Sequence, residues 1–199
     1  MDAAAWDERY RSSDLVWGAQ PNRWVEQQLA GLSPGTGVDV ACGEGRNALW
    51  LASRGWRMIA VDFAAAALDK GRRLESSAEV AHPIDWVCDD VTAYRAPQPV
   101  DLVLICYLQV SAEVRRTVMR NAAAALAPGG TLLVVGHDST NLADGTGGPQ
   151  EPAVLYTAAD LAADLEGTGL AIDIAHAVLR PVDGADRPAI DALLRAHRP

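Results

Sequence analysis

The sequence predicts an α/β fold: a single-domain, Rossmann-like open sheet in which parallel strands alternate with helices. Three observations lead there. Short runs such as Val100 to Cys106 are apolar throughout rather than alternating, as expected for central parallel strands covered on both faces. Between these runs lie segments with helical spacing of apolar residues, giving the strand–helix rhythm of a parallel sheet. The stretch Val38 to Asp62 joins a short strand, a glycine turn, a helix and a second strand that ends in a carboxylate, which is a complete βαβ unit.

Residues 1–33 precede the first strand and hold Trp6, Tyr10, Trp17 and Trp24 of the chain's six Trp and four Tyr. They are read as an aromatic-rich lid or set of helices on the catalytic α/β core of residues 34–199, with the whole chain forming one domain. Pro21 and Asn22 start a helix whose apolar positions are Trp24, Val25, Leu29 and Leu32, with Gly31 and Pro34 as stop signals. Val38 to Cys42 is the first strand, Asn47 to Ser53 a helix, and Met58 to Val61 the second strand after a turn at Gly55. Phe63 to Ser77 is helical, with Asp69, Lys70, Arg72, Arg73 and Glu75 on its outer face. Ile84 to Cys88 and Val100 to Cys106 are the third and fourth strands, and Val114 to Leu126 is a helix. A sharp turn over Ala127 to Gly130 then leads into a fifth strand, Thr131 to Val135. Beyond it come a Gly/Pro-rich loop from Gly136 to Pro152 and a helix from Ala158 to Glu166, with Thr157 as cap and Asp160 in the capping-box position. Leu170 to Leu179 alternates like a strand, Pro181 to Arg187 is a loop, and Ala189 to Ala196 is assigned to a closing antiparallel strand. Its Ala and Leu content favours helix, but the short loop before it suits a hairpin.

Composition limits what the chain does. With 199 residues and 49% hydrophobic content it buries a full core without a metal or disulfide staple. A net charge of −9, with Lys70 as the only lysine, argues against a phosphate-backbone partner, so no nucleic acid is expected. Cys42, Cys88 and Cys106 have neither disulfide nor zinc spacing and are read as small buried residues of a reduced protein. No metal ligand cluster is visible. The opening Met-Asp-Ala-Ala-Ala-Trp has no positive n-region or apolar h-region, and no apolar run approaches the roughly 18 residues that span a bilayer. A cytoplasmic protein with no membrane partner is expected, as monomer or homodimer.

Gly43-Glu44-Gly45-Arg46-Asn47-Ala48 fits a G-x-G-x-x-A turn that takes an adenosine cofactor, and alone it does not choose among such cofactors. Charge favours one kind. A pyrophosphate needs exposed N–H groups and suffers from anionic neighbours, whereas Glu44 lies inside this loop and Asp39 just before it. A cofactor carrying a cationic sulfonium and ammonium tolerates those carboxylates. Asp62, seventeen residues beyond Gly45, stands where it can accept both ribose hydroxyls.

Over nearly its whole length the chain resembles the class I S-adenosylmethionine-dependent methyltransferases, in the small-molecule branch of the thiopurine, tellurite-resistance and UbiE-like enzymes. The resemblance rests on Asp39-x-Ala41-x-Gly43-x-Gly45, the strand-end Asp62, Cys88-Asp89-Asp90-Val91, Asp101 to Cys106, and Leu126-Ala-Pro-Gly-Gly-Thr-Leu-Leu133. The family's usual first glycine is Ala41 here. The resemblance implies a strand order of 3-2-1-4-5-7-6 with an antiparallel last strand, and S-adenosylmethionine as cofactor with S-adenosylhomocysteine as product. It implies that Asp39, Ala41, Gly43 and Gly45, with Cys42 between them, hold the methionine part. Asp62, followed by Phe63, holds the ribose. Asp90 with the Val91 amide holds the adenine edge, or Asp89 does, since the doublet leaves the alignment open by one; capping a turn is the other role for Asp89. Cys106 and Tyr107 lie beside the methyl group.

Methyl transfer from a sulfonium needs the nucleophile, methyl and sulfur held in line in a dry pocket, and an alcohol or amine acceptor also needs a base. His137, just after the fifth strand, is placed to be that base or to bind substrate; hydrogen bonding to the following loop is its other role. His82, His176 and His197 are read as structural or exposed. The loop from Asn141 to Tyr156 is long enough for a lid. The acceptor is expected to be a small, partly aromatic or amphipathic molecule, bound among Trp6, Tyr10, Trp17, Trp24, His137 and Tyr156, with S, O and N nucleophiles all open. Two other readings stand: a sensor that binds the same cofactor without turnover, and an NAD(P)-dependent oxidoreductase, for which no Tyr-x-x-x-Lys pair is present.

Overall fold

The computed structural model describes residues 3–199, leaving the side chain of Ala3 aside. Seven strands form one sheet: β1 (Thr36–Val40), β2 (Arg57–Asp62), β3 (Asp85–Cys88), β4 (Val100–Cys106), β5 (Leu126–His137), β6 (Ala171–Arg180) and β7 (Ala189–His197). Their order is β3-β2-β1-β4-β5-β7-β6. The first five are parallel, and β7 runs antiparallel to both β5 and β6, so the hairpin assignment holds. Of the helices, α1 (Ala3–Arg11) and α2 (Arg23–Leu29) precede the sheet. α3 (Arg46–Ser53), α4 (Ala65–Ser76) and α5 (Ala112–Ala125) join the parallel strands. α6 (Asn141–Asp144) and α7 (Ala158–Asp164) lie between β5 and β6.

The central strands are apolar on both faces because helices cover both. Val38, Val40, Val103, Ile105, Leu132 and Val134 meet α5 and α7 on one side. Leu102, Leu104, Leu133 and Val135 meet Trp24, Val25 and Leu29 of α2 and Ala48, Leu51 and Ala52 of α3 on the other. Capping fixes the helix starts. The Asn22 side chain accepts from the Trp24 and Val25 amides, and Thr157 with Asp160 closes the capping box that the sequence announces.

Three expectations need correction. Lys70, expected on the outer face of its helix, is buried, because its Nζ reaches Glu44 and the Ser13 carbonyl beneath the N-terminal segment. Ala127 to Gly130 is part of β5 rather than a turn, because the backbone of Gly129 and Gly130 bonds that of Arg198 at the end of β7. Cys88 is exposed rather than buried, since β3 is the sheet's outer strand; Cys42 is buried and Cys106 half-buried, and all three are free thiols.

Candidate functional site

Both halves of the site lie at the carboxyl edge of the parallel strands, where open α/β sheets bind ligands. On the β1–β2 side, Ala41 and Gly43 take left-handed φ angles of 57° each and Gly45 one of 75°, so the chain turns sharply from β1 into α3. The Asp62 carboxylate ties this turn to the end of β2, accepting from the Gly43 amide at 2.8 Å through Oδ2 and from the Ala64 amide at 2.9 Å through Oδ1. Asp39 is 1% exposed, and neither of its oxygens has a hydrogen-bond partner among the described residues. Burial pushes its pKa up to about 7 and Asp62 adds to the rise; the Ala48 amide, near the carboxylate but short of hydrogen-bond geometry, and Arg46 oppose it. A buried carboxylate left without a partner calls for an explanation, and a cationic ligand supplies one.

Glu44 does not share this role. Its carboxylate turns away from the cleft and accepts from the Val16 amide at 3.0 Å, the Trp17 amide at 3.3 Å and Lys70 Nζ at 3.1 Å. With its charge neutralised, Glu44 says nothing about which cofactor the loop prefers. It instead latches the N-terminal segment over the glycine turn. Asp7 of α1 accepts from the Ala66 amide at the start of α4, Arg46 donates to the Trp17 carbonyl, and Lys70 to that of Ser13.

This latch gathers three of the four aromatics that the sequence places in residues 1–33. Trp6 stacks on Tyr10 at 5.6 Å, and the Trp17 indole donates to the Tyr10 hydroxyl, which lies against Gly43. Trp24 stands apart in the core beside α3, its indole donating to Asp191 Oδ2 at 2.9 Å. Tyr156 is not a pocket wall: it is fully buried, fits under β5 because Gly136 has no Cβ, and donates to the Leu108 carbonyl. Phe63 packs half-buried beside Tyr10. Asp90 caps a turn by accepting from the amide and hydroxyl of Thr92, while Asp89 accepts only from the next amide, so capping falls to Asp90 rather than Asp89. The Val91 side chain is in the core.

On the β4–β5–β7 side the structure assembles a group that sequence reading found only in part. Tyr107, which follows β4 with a φ of 60°, lies with its ring centroid 4.8 Å from that of His137 at the end of β5. The Tyr107 hydroxyl donates to Asp191 Oδ2 at 2.9 Å and accepts from the Asn22 side chain at 3.3 Å. Arg180, at the end of β6, donates to Asp191 through Nε at 2.8 Å and a terminal nitrogen at 3.3 Å. Gln109 fixes the neighbouring backbone, accepting from the His137 amide and donating to the Val154 carbonyl. Burial lowers the His137 pKa and Arg180 adds to that, while Asp191 opposes both, so the ring is neutral at pH 7. Asn22 joins the halves, since its amide also donates to the Asn47 side chain in the first turn of α3.

Residues 38–130 match the family model described as a methyltransferase domain. No curated protein matches the sequence. Solved structures resemble it over most of its length. One concerns conversion of a disulfide bond into a thioacetal group during echinomycin biosynthesis: 20% identity, TM-score 0.76, 98% of this chain and 91% of that one. TehB from Haemophilus influenzae aligns at 16% identity and TM-score 0.75, over 97% of this chain and 66% of its own. A SAM-dependent methyltransferase from Methanosarcina mazei aligns at 15% identity and TM-score 0.70, over 90% of this chain and 98% of its own. At such identities the likeness is one of fold. Residues 38–130 thus match the methyltransferase-domain model, and with strands in the order 3-2-1-4-5-7-6 the chain has the fold of the solved S-adenosylmethionine-dependent methyltransferase from Methanosarcina mazei.

Proposed function

We propose that the chain binds S-adenosylmethionine between the glycine turn and Asp62 and passes its methyl group to a small-molecule acceptor at the edge of β4, β5 and β7. The observation that carries this reading is Asp39, a fully buried carboxylate with two unpartnered oxygens beside the turn. It fits a ligand that brings an ammonium group. Asp62 keeps lone pairs free for ribose hydroxyls beyond the two amides it already holds. Asp89, Asp90 and the Val91 amide stand after β3, where an adenine edge would lie. When bound, the cofactor supplies an activated methyl on a sulfonium, a good leaving group. The chain's own work is to orient the partners and keep water out, through Tyr10 above Gly43 and Tyr107 at the junction of the halves. No described helix is long and apolar enough to cross a membrane. A cytoplasmic location and a monomeric or homodimeric state belong to the same reading.

Calorimetric titration with S-adenosylhomocysteine and with NADH tests it. Micromolar binding of the first and none of the second is expected; the reverse would make the chain an oxidoreductase. Labelled-methyl transfer to members of a thiol, phenol, amine and sugar panel then separates an enzyme from a sensor, and binding without transfer to any of them would favour the sensor.

A further inference from the structure

Asp191 and His137 occupy opposite register positions on β7 and β5, and His137 Nδ1 lies 3.6 Å from Asp191 Oδ1. Asp191 is 0% exposed. Its two oxygens are used unequally: Oδ2 accepts from Trp24, Tyr107 and Arg180 at 2.8–2.9 Å, while Oδ1 has only the 3.3 Å contact from Arg180. His137 Nδ1 is sealed from solvent without a hydrogen-bond partner. The imidazole is also held in place, with Tyr107 against one side and Gly148 close by; a Cβ on Gly148 would press on Nδ1 at 2.9 Å.

We propose that Asp191 is the positioning residue of an acceptor-side base. Its Oδ1, 3.6 Å from Nδ1, is placed to accept the Nδ1–H of His137 once the two close to hydrogen-bond distance, fixing the tautomer that leaves Nε2 unprotonated to receive a proton from an O–H or N–H acceptor. This rests on the methyltransferase reading above. As the acceptor's electron pair bonds the methyl carbon, the carbon–sulfur pair stays with sulfur and the acceptor's proton goes to Nε2. Asp191 then faces an imidazolium, whose charge it stabilises. Arg180 limits how far Asp191 raises the basicity of the ring. Asp191, Arg180 and Tyr107 are the charged and titratable groups facing His137, from β7, β6 and the end of β4. The arrangement assigns the site to acceptors that must lose a proton; a thiolate or other soft anion would not need it.

The test is nitrogen NMR of protein labelled at its four histidines, with the His137 signals assigned by their loss in His137→Gln. The expected result is an Nδ1–H tautomer with Nε2 bare, and a midpoint below that of an ordinary histidine. Asp191→Leu should abolish the tautomer preference and lower the midpoint further. Arg180→Met should keep the preference and raise the midpoint. Because Asp191→Leu strands a buried Arg180, the double variant Arg180→Met/Asp191→Leu provides a charge-balanced background in which the preference should also be lost. Mere loosening of the fold would instead move every variant towards the ordinary midpoint. An Nε2–H tautomer in the parent protein, or an unchanged tautomer in the double variant, overturns the proposal. Titration with S-adenosylhomocysteine on the same samples keeps the readings apart: tight binding with the wrong tautomer refutes Asp191's role and leaves the methyltransferase assignment standing.

Discussion

Ala41 and Tyr107 stand just beyond the carboxyl ends of the adjacent strands β1 and β4, and among the described residues they are the only two non-glycine positions with left-handed backbone. Their φ angles of 57° and 60° bracket the junction of the two halves of the site. L-residues pay of order 1–2 kcal/mol for this conformation, and such strain persists where the surroundings dictate it. Here Cys42 N bonds the Val61 carbonyl and Tyr107 N the Val135 carbonyl, so each strained residue adjoins a bond to a neighbouring strand.

At position 41 the strain is removable. Ala41→Gly relieves the left-handed penalty and gives back part of it as unfolded-chain entropy, so a net gain of about 0.5–1 kcal/mol is expected in denaturant unfolding. A loss of stability would mean that the alanine methyl packs productively in the turn.

The raised pKa of Asp39 makes ligand binding proton-linked. With a pKa near 7 the free carboxyl is largely protonated at pH 5–6. An ammonium placed beside it favours the ionised form, so binding of S-adenosylhomocysteine should release a proton. Affinity should therefore rise with pH up to about 7, by at most tenfold per pH unit, and level off above. Calorimetry in buffers of different ionisation enthalpy measures the release. Asp39→Asn should abolish it, and a parent protein that releases no proton would remove Asp39 from the ligand's surroundings.

Glu44 and Lys70 form a buried pair whose loss frees the N-terminal segment. Lys70→Met leaves a 2%-exposed carboxylate without its cation, for which a cost of about 3–5 kcal/mol is typical. Three amide contacts from Val16 and Trp17 remain, which places the expectation at the lower end. Hydrogen exchange should show lost protection at the Val16 and Trp17 amides, and Glu44→Gln in the same background should recover part of the stability. Unchanged exchange at those amides would mean that the Trp6, Tyr10 and Trp17 cluster alone holds the segment.

How much of this could be read from the sequence depended on distance along the chain. The βαβ unit from Val38 to Asp62 was legible because its strand pattern, glycine turn and closing carboxylate are local. The hairpin of β6 and β7 was legible through its short loop. Glu44 misled, because its partners Val16 and Lys70 lie 28 and 26 residues away and only the fold shows the side chain turning from the cleft. Tyr156 read as a wall of the acceptor pocket, and the space that buries it is made by Gly136 on another element. Asp191 and Arg180 were missed altogether. One signal was present: Asp191 interrupts an otherwise apolar run from Ala189 to Leu194, and a lone acid on a buried strand needs partners. Those partners come from α2, β4, β5 and β6, which no single-sequence pattern brings together.

Asp62 carries two jobs that a single variant would confuse. Its Oδ2 shapes the glycine turn through Gly43, and its Oδ1 satisfies the Ala64 amide ahead of α4. Asp62→Ala should lower stability by about 1–3 kcal/mol through those stranded buried amides, and weaken S-adenosylhomocysteine by about 1.5–3 kcal/mol if the carboxylate also takes ribose hydroxyls. Asp62→Asn separates the two. It keeps an acceptor oxygen for one of the two amides and sets an N–H donor against the other, so about half of the alanine variant's stability loss is expected, and that N–H donor cannot accept a ribose hydroxyl. A stable Asn variant with at least tenfold weaker binding assigns the ribose to Asp62. A stable Asn variant that binds as tightly as the parent confines Asp62 to holding the turn, and the ribose contact must then be sought in the backbone of that turn.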